Sequence, residues 1–172
     1  MSRALLAGLI LLWPAAASAQ QAIIIVRHAE RQTGEGDDGL SDTGRLRADR
    51  LASMLRDAGV THIFVSDRRR TLETAEPFAK AHNLSPTRMA IPAQGRGTIE
   101  PSGLQVRATL LAISRLPRTA VVLVVGHSNT VPMFLTRLGY GPNLTIPDAE
   151  FDNLFVVTPR ATRSPSVVRL RF

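Results

Sequence analysis

The chain has 172 residues, of which 44% are apolar and 20% charged, enough to build the core of one globular domain and too apolar for a disordered chain. It contains no cysteine, which excludes disulfides and lipoprotein processing. The formal charge is +7, and twenty of its twenty-one basic residues are arginine, Lys80 being the exception. As a total, that excess reads as compositional bias of the kind a GC-rich genome encodes, whereas a few individual arginines read as functional.

The first nineteen residues have the form of a secretory signal peptide. Arg3 supplies the positive start, Ala4 to Trp13 the apolar stretch, and Ala17-Ser18-Ala19 a small-x-small cleavage site. Ten apolar residues are too few to span a bilayer. The expectation is an exported protein, periplasmic or secreted, cleaved after Ala19, with residues 20–172 as a single domain and no lasting membrane anchor.

Ile23 to Val26 is a β-branched run that reads as a strand buried on both faces, ending abruptly in Arg27-His28-Ala29-Glu30. A Gly-rich loop from Gln32 to Gly39 follows, carrying Glu35, Asp37 and Asp38. Ser41 is placed to cap a helix running to about Ala58, whose apolar face is Ala48, Leu51, Ala52 and Leu55, with Gly59 as its stop. Thr61 to Val65 is a second strand, ending at Ser66-Asp67 before Arg68-Arg69-Arg70. Consecutive helical residues point about 100° apart, so at most two of these three arginines can face one ligand. Pro77 is expected to kink or restart the helix that they open.

The stretch from His82 to Gly103 is irregular, with a short strand near Met89 to Ile91 and a flexible Gln94-Gly95-Arg96-Gly97 segment. Ser102 to Gln105 has capping-box spacing, and the helix beyond it sets Leu104, Ala108 and Leu111 on one face. Val121 to Val125 is another fully apolar strand, followed by Gly126-His127-Ser128-Asn129, a cap at Ser128 or Asn129, and a short helix ending at Gly139. Phe151 to Val157 and Val167 to Phe172 complete the sheet, the last alternating as an edge strand does. The alternation of strands and helices predicts an α/β fold, a three-layer α/β/α sandwich around a mostly parallel sheet.

Arg27, His28, Arg70 and His127 all fall at the carboxyl ends of strands, where ligands bind in such sheets. Two fixed positive charges disfavour a metal, and neither histidine has an Asp or Glu at ligand spacing, so no metal or other cofactor is expected. Imidazole beside guanidinium instead suits attack on a phosphoryl group: the ring forms a covalent intermediate, and the arginines neutralise the phosphoryl oxygens. His62 and His82 read as structural.

These segments resemble the histidine phosphatase superfamily, whose fold is called phosphoglycerate-mutase-like. Arg27-His28-Ala29 is similar to its Arg-His-Gly signature, with Ala29 in place of Gly. Leu40-Ser-Asp-Thr-Gly44 is similar to its Leu-Thr-x-x-Gly helix start. Ser66 through Thr74-Ala75 matches its Ser-Pro-x-x-Arg-x-x-x-Thr-Ala segment and singles out Arg70, while Gly126-His127-Ser128 matches its Gly-His segment. The resemblance implies His28 as the nucleophile and Arg27, Arg70, His127 and Ser128 around the phosphoryl group. It also implies a carboxylic general acid, for which Glu100 is the first candidate and Glu150, Asp152, Asp37 and Asp38 are alternatives. Asp67 stands where the family has Pro, and with Arg68 this departure bears on substrate preference. The implied activity is phosphomonoester hydrolysis through a phosphohistidine, on a phosphorylated small molecule or envelope component rather than nucleic acid. A phosphate-binding module without catalysis and a phosphoglycerate mutase are the alternatives. The apolar residues are largely taken up by core faces, which favours a monomer.

Overall fold

The computed structural model describes residues 22–33, 36–93, 100–141, 143–160 and 164–172. The proposed leader, Glu35 and the Gln94–Gly97 segment lie outside them. Six strands form one sheet: β1 (Ala22–Arg27), β2 (His62–Ser66), β3 (Thr87–Met89), β4 (Val121–Gly126), β5 (Asn153–Thr158) and β6 (Ser166–Arg171). Four helices connect them: α1 (Asp42–Met54), α2 (Arg69–Ala81), α3 (Pro101–Ser114) and α4 (Thr130–Arg137). The strand order is β3-β2-β4-β1-β5-β6. The first four run parallel, β5 pairs antiparallel with β1, and β6 forms the antiparallel edge beyond β5.

Period-two alternation divides each central strand between two cores. Ile23, Ile25, Phe64, Val122 and Val124 face one cluster with Val106 and Ile113 of α3 and Val131, Phe134 and Leu135 of α4. Ile24, Val26, Ile63, Val65, Leu123 and Val125 face the other, with Leu51 of α1 and Ala75, Phe78 and Ala79 of α2. The expected three-layer α/β/α sandwich is therefore observed, α1 and α2 on one face and α3 and α4 on the other. No helix among the described residues is long and apolar enough to cross a membrane.

Several local expectations need correction. Helix α1 ends at Met54, and residues 55–58 form a turn before Gly59, which takes a left-handed φ of +67°. Pro77 sits inside a continuous α2, which neither stops nor restarts there. Strand β3 begins two residues earlier than expected. Helix α3 starts at Pro101 rather than after Ser102, and its buried face is Ser102, Gln105, Val106, Thr109 and Ile113. Leu104 and Leu111 point outward. The buried polar groups are matched locally: Gln105 Nε2 donates to the Met89 carbonyl and Thr109 Oγ1 to that of Gln105. The two further histidines, His62 and His82, do not line the cleft described below. His82 stacks on Phe78 at 4.0 Å between centroids, and His62 meets Thr61 Oγ1 at 2.9 Å.

The start of α1 lies tight against the segment leaving β1. Ser41 Oγ accepts from Gly44 N, capping the helix as expected, and the Ser41 amide donates to the Glu30 carbonyl. A Cβ on Gly44 would lie 2.0 Å from that same carbonyl oxygen, a backbone atom that cannot rotate aside. Gly44→Ala should therefore lower stability by about 1–3 kcal/mol, the usual range for overpacking. Gly141→Ala, with open space around its Cβ, should stay within about 0.5 kcal/mol. Equal thermal unfolding midpoints for the two variants would refute this packing account.

Candidate active site

Strand register builds the site. In the parallel β1–β4 pair Arg27 stands opposite Gly126, and in the β2–β4 pair Val65 stands opposite Val125. The chain thus leaves the sheet at His28, Ser66 and His127 side by side at the carboxyl edge. The His28 amide donates to the Gly126 carbonyl, and the two imidazole centroids lie 5.3 Å apart, edge to face. Arg27, His28 and His127 are all buried.

The partners of His28 define its chemistry. Nδ1 lies 2.7 Å from the Ala29 carbonyl oxygen, which can only accept, so Nδ1 carries the proton and Nε2 a lone pair. Arg70 Nε donates to that lone pair at 3.2 Å. Burial lowers the pKa of His28 to about 4; the Ala29 hydrogen bond opposes this, and the charges of Arg70, Arg27 and Arg31 add to it. His127 is lowered to about 3, first by burial and then by His28 and the arginines. Both rings are neutral at ordinary pH.

A hydroxyl network orients His127. Its Nε2 lies 2.9 Å from Ser66 Oγ, which in turn lies 2.9 Å from Thr71 Oγ1 and accepts from the Arg68 amide. Thr71 spends its one proton on the Arg68 carbonyl at 2.7 Å. Ser66 then donates to Thr71 and accepts from His127, which places the His127 proton on Nε2. The loop after β1 is secured similarly: the Ala29 amide donates to Thr74 Oγ1, and Ala29 itself is fully buried with Leu40 and Ala48.

Arg27 is fixed by the segment before β5. Its Nη1 donates to the Pro147 and Glu150 carbonyls, its Nη2 lies 3.8 Å from Asp148, and its guanidinium stacks 4.0 Å over the Phe151 ring. Its buried Nε has no hydrogen-bond partner among the described residues. Burial lowers its pKa, as it does for Arg70. The arginine triplet divides as helical geometry requires: Arg68 and Arg70 line the cleft, and Arg69 pairs with Glu73 at 2.6 Å.

The cleft has a volume of about 450 Å³, within the usual range of small-ligand sites. Its wall includes Arg27, His28, Arg31, Arg68, Arg70, Ser102, His127, Ser128, Asn129 and Asp148. The four residues expected to hold a phosphoryl group, Arg27, Arg70, His127 and Ser128, are thus together with His28. Asn129 begins α4 without a side-chain cap bond and instead donates to Ser102 Oγ across the cleft.

The candidate acids are dispersed. Glu100 caps α3, its two oxygens accepting from the Ser102 and Gly103 amides, and it does not line the cleft. Glu150 and Asp152 pair with Arg171 at the outer strands. Asp38 pairs with Arg31, and Asp37 accepts from the Arg69 amide 4.0 Å from Arg70 Nη1. Among the described residues Asp148 is the acidic side chain on the wall, and it, Ser66 and Arg31 were not singled out by sequence. Only the serine of the Ser66–Thr74 segment offered a signal. Among the described residues no three His, Cys, Asp or Glu side chains gather as a metal site would need.

Comparison with known proteins accords with this geometry. The family model described as histidine phosphatase superfamily (branch 1) matches residues 23–91. A protein named probable phosphoglycerate mutase GpmB from Erwinia tasmaniensis is 36% identical over 66 residues, covering 34% of this chain and 31% of that protein. The chain thus spans about a third of the length of the curated relatives it matches. Among solved structures, the protein histidine phosphatase SixA complexed with tungstate superposes with a TM-score of 0.66 at 22% identity, covering 88% of this chain and 97% of that one. A phosphoserine phosphatase from Entamoeba histolytica, in complex with 3-phosphoglyceric acid, gives 0.66 at 14% identity, covering 89% and 98%. These likenesses are of fold. Over residues 23–91 the chain is similar to the histidine phosphatase superfamily, and the matched segments lead into a cleft that joins His28, Arg70 and His127.

Proposed function

We propose that the protein is a phosphomonoester hydrolase that works through a phosphohistidine on His28. The observation that carries this reading is the state of that ring: buried, neutral, proton held on Nδ1 by the Ala29 carbonyl, and the Nε2 lone pair in a cleft walled by arginine. A side chain needed only to bind an anion would gain from being protonated; this one is kept unprotonated, as a nucleophile must be.

In the first step Nε2 attacks phosphorus as the ester P–O bond breaks, and the leaving oxygen takes the bond's electron pair and a proton. Arg70 must pass its Nε–H from His28 to a phosphoryl oxygen, which frees the lone pair. The orphaned Nε–H of Arg27 gains an acceptor in the same event, removing the penalty of a buried unpaired donor. Asp148 is the carboxyl best placed to protonate the leaving oxygen. In the second step water attacks phosphorus, the P–N bond breaks, orthophosphate leaves, and Nε2 recovers its lone pair. Negative charge grows on the phosphoryl oxygens between donors fixed beforehand, so the stabilisation is greatest in the transition state.

Hydrolysis of p-nitrophenyl phosphate in the presence of EDTA tests this directly. Turnover should survive chelation, and His28→Ala should lose it by several orders of magnitude. A phosphate-binding module would show no turnover in either protein, and a mutase, given a phosphoglycerate in place of the aryl ester, would return its positional isomer rather than orthophosphate.

We also infer that the protein is exported and cleaved after Ala19, on the pattern of Arg3, Ala4–Trp13 and Ala17-Ser18-Ala19. Expressed with its own first residues in a bacterium that exports proteins, it should be recovered from the periplasm or medium beginning at Gln20. Recovery from the cytosol with residues 1–19 attached would contradict the inference.

A further inference from the structure

Charge is segregated between the two helical layers. From Pro101 to Pro147, a span that holds α3, β4 and α4, the sequence has four arginines and no aspartate or glutamate. Compositional bias accounts for the arginines but not for the missing carboxylates. Arg107, Arg115, Arg118 and Arg137 are all exposed, and every ion pair among the described residues lies outside this span. Helix α3 turns Ser102, Gln105, Val106, Thr109 and Ile113 inward. Its outer face is therefore the stripe of Leu104, Arg107, Ala108 and Leu111, continued by Arg115 at the cap. Leu104 and Leu111 are 36% and 54% exposed, interleaved with guanidinium groups that no protein carboxylate neutralises. Helix α1 on the opposite layer also exposes apolar side chains, Leu46 and Met54, but it carries exposed Asp42 and Asp49 among them.

We propose that the outer face of the α3–α4 layer docks reversibly on an anionic lipid surface. The guanidinium groups pair with lipid phosphates, and the leucines between them enter the boundary of the acyl chains, as on helices that lie in the plane of a membrane. A nucleic acid would match the charge alone. The stripe has no aromatic side chain on which bases could stack, and its leucines would gain nothing there. The cleft opens at the carboxyl edge of the sheet rather than on this face, so docking does not close it. The docking requires no catalysis and stands apart from the phosphohistidine chemistry.

Flotation with vesicles of phosphatidylcholine alone, or of phosphatidylcholine mixed equally with phosphatidylglycerol, tests this at low salt. The full chain is used throughout, so residues 1–19 contribute alike in every arm. Each basic side chain set against an anionic surface strengthens binding about fivefold, so the native protein should prefer the mixed vesicles by on the order of a hundredfold. Arg107→Gln combined with Arg115→Gln should weaken binding to them about twentyfold. Leu111→Gln changes no charge and should weaken it about tenfold. Arg50→Gln combined with Arg56→Gln removes the same charge from exposed positions on the opposite layer and should leave binding within about twofold. Equal binding to the two vesicle types would overturn the docking. A loss from the Arg50 and Arg56 pair as large as that from Arg107 and Arg115 would also overturn it, because net charge would then suffice. If the Arg107 and Arg115 pair weakens binding and Leu111→Gln does not, the face takes a polyanion such as a nucleic acid and the lipid assignment fails.

Discussion

The register of β1 against β4 is the constraint on which the site depends. These parallel strands are held apolar on both faces, so a slip of one residue would turn Ile23 and Ile25 into the core now filled by Ile24 and Val26. The packing of two cores thereby fixes Arg27 opposite Gly126, and with it the juxtaposition of His28 and His127. Nothing in the cleft needs to draw the two rings together. The sheet delivers them, and the Gly126 carbonyl locks the His28 amide beyond the last pair.

What the sheet delivers is electrostatically unfavourable. A buried arginine, a half-buried one and two buried imidazoles share one edge, and burial pushes every one of their pKa values toward the neutral form. The fold meets this with oriented neutral groups: carbonyls of Pro147 and Glu150 and the Phe151 ring on Arg27, the Ala29 carbonyl on His28, and the Ser66–Thr71 pair on His127. For the histidines the linkage has a definite sign. Unfolded imidazoles bind protons near pH 6.5 and the folded ones only near 4 and 3, so folding releases protons between those values. Their contribution to stability is therefore fully present above pH 6.5 and is lost as pH falls toward 4.

Much of this was legible in the chain. Runs of four or five apolar, mostly β-branched residues with no polar interruption, as at Ile23 to Val26 and Val121 to Val125, read as strands covered on both sides, and the polar residues that stop them mark the ligand edge. Helix α3 was misread because its buried face carries Gln105 and Thr109, whose polar groups are satisfied only once Met89 and the helix backbone are in place. Apolar periodicity therefore pointed at Leu104 and Leu111, which face outward. Glu100 looked like an acid by its distance from Arg70, but Pro101 at the next position makes it a helix cap. Asp148 and Arg31 have no local pattern at all. One reaches the cleft on the segment before β5 and the other on the loop after β1, placements that tertiary structure alone decides.

The central claim is that His28 waits as a neutral ring with its proton on Nδ1. Nitrogen-15 spectra of histidine-labelled protein, assigned with His28→Ala, test it most directly. The account predicts an Nδ1–H tautomer that persists from pH 8 down to about 5, with a midpoint near 4. A proton on Nε2, or a midpoint near the free imidazole value of about 6.5, would contradict it.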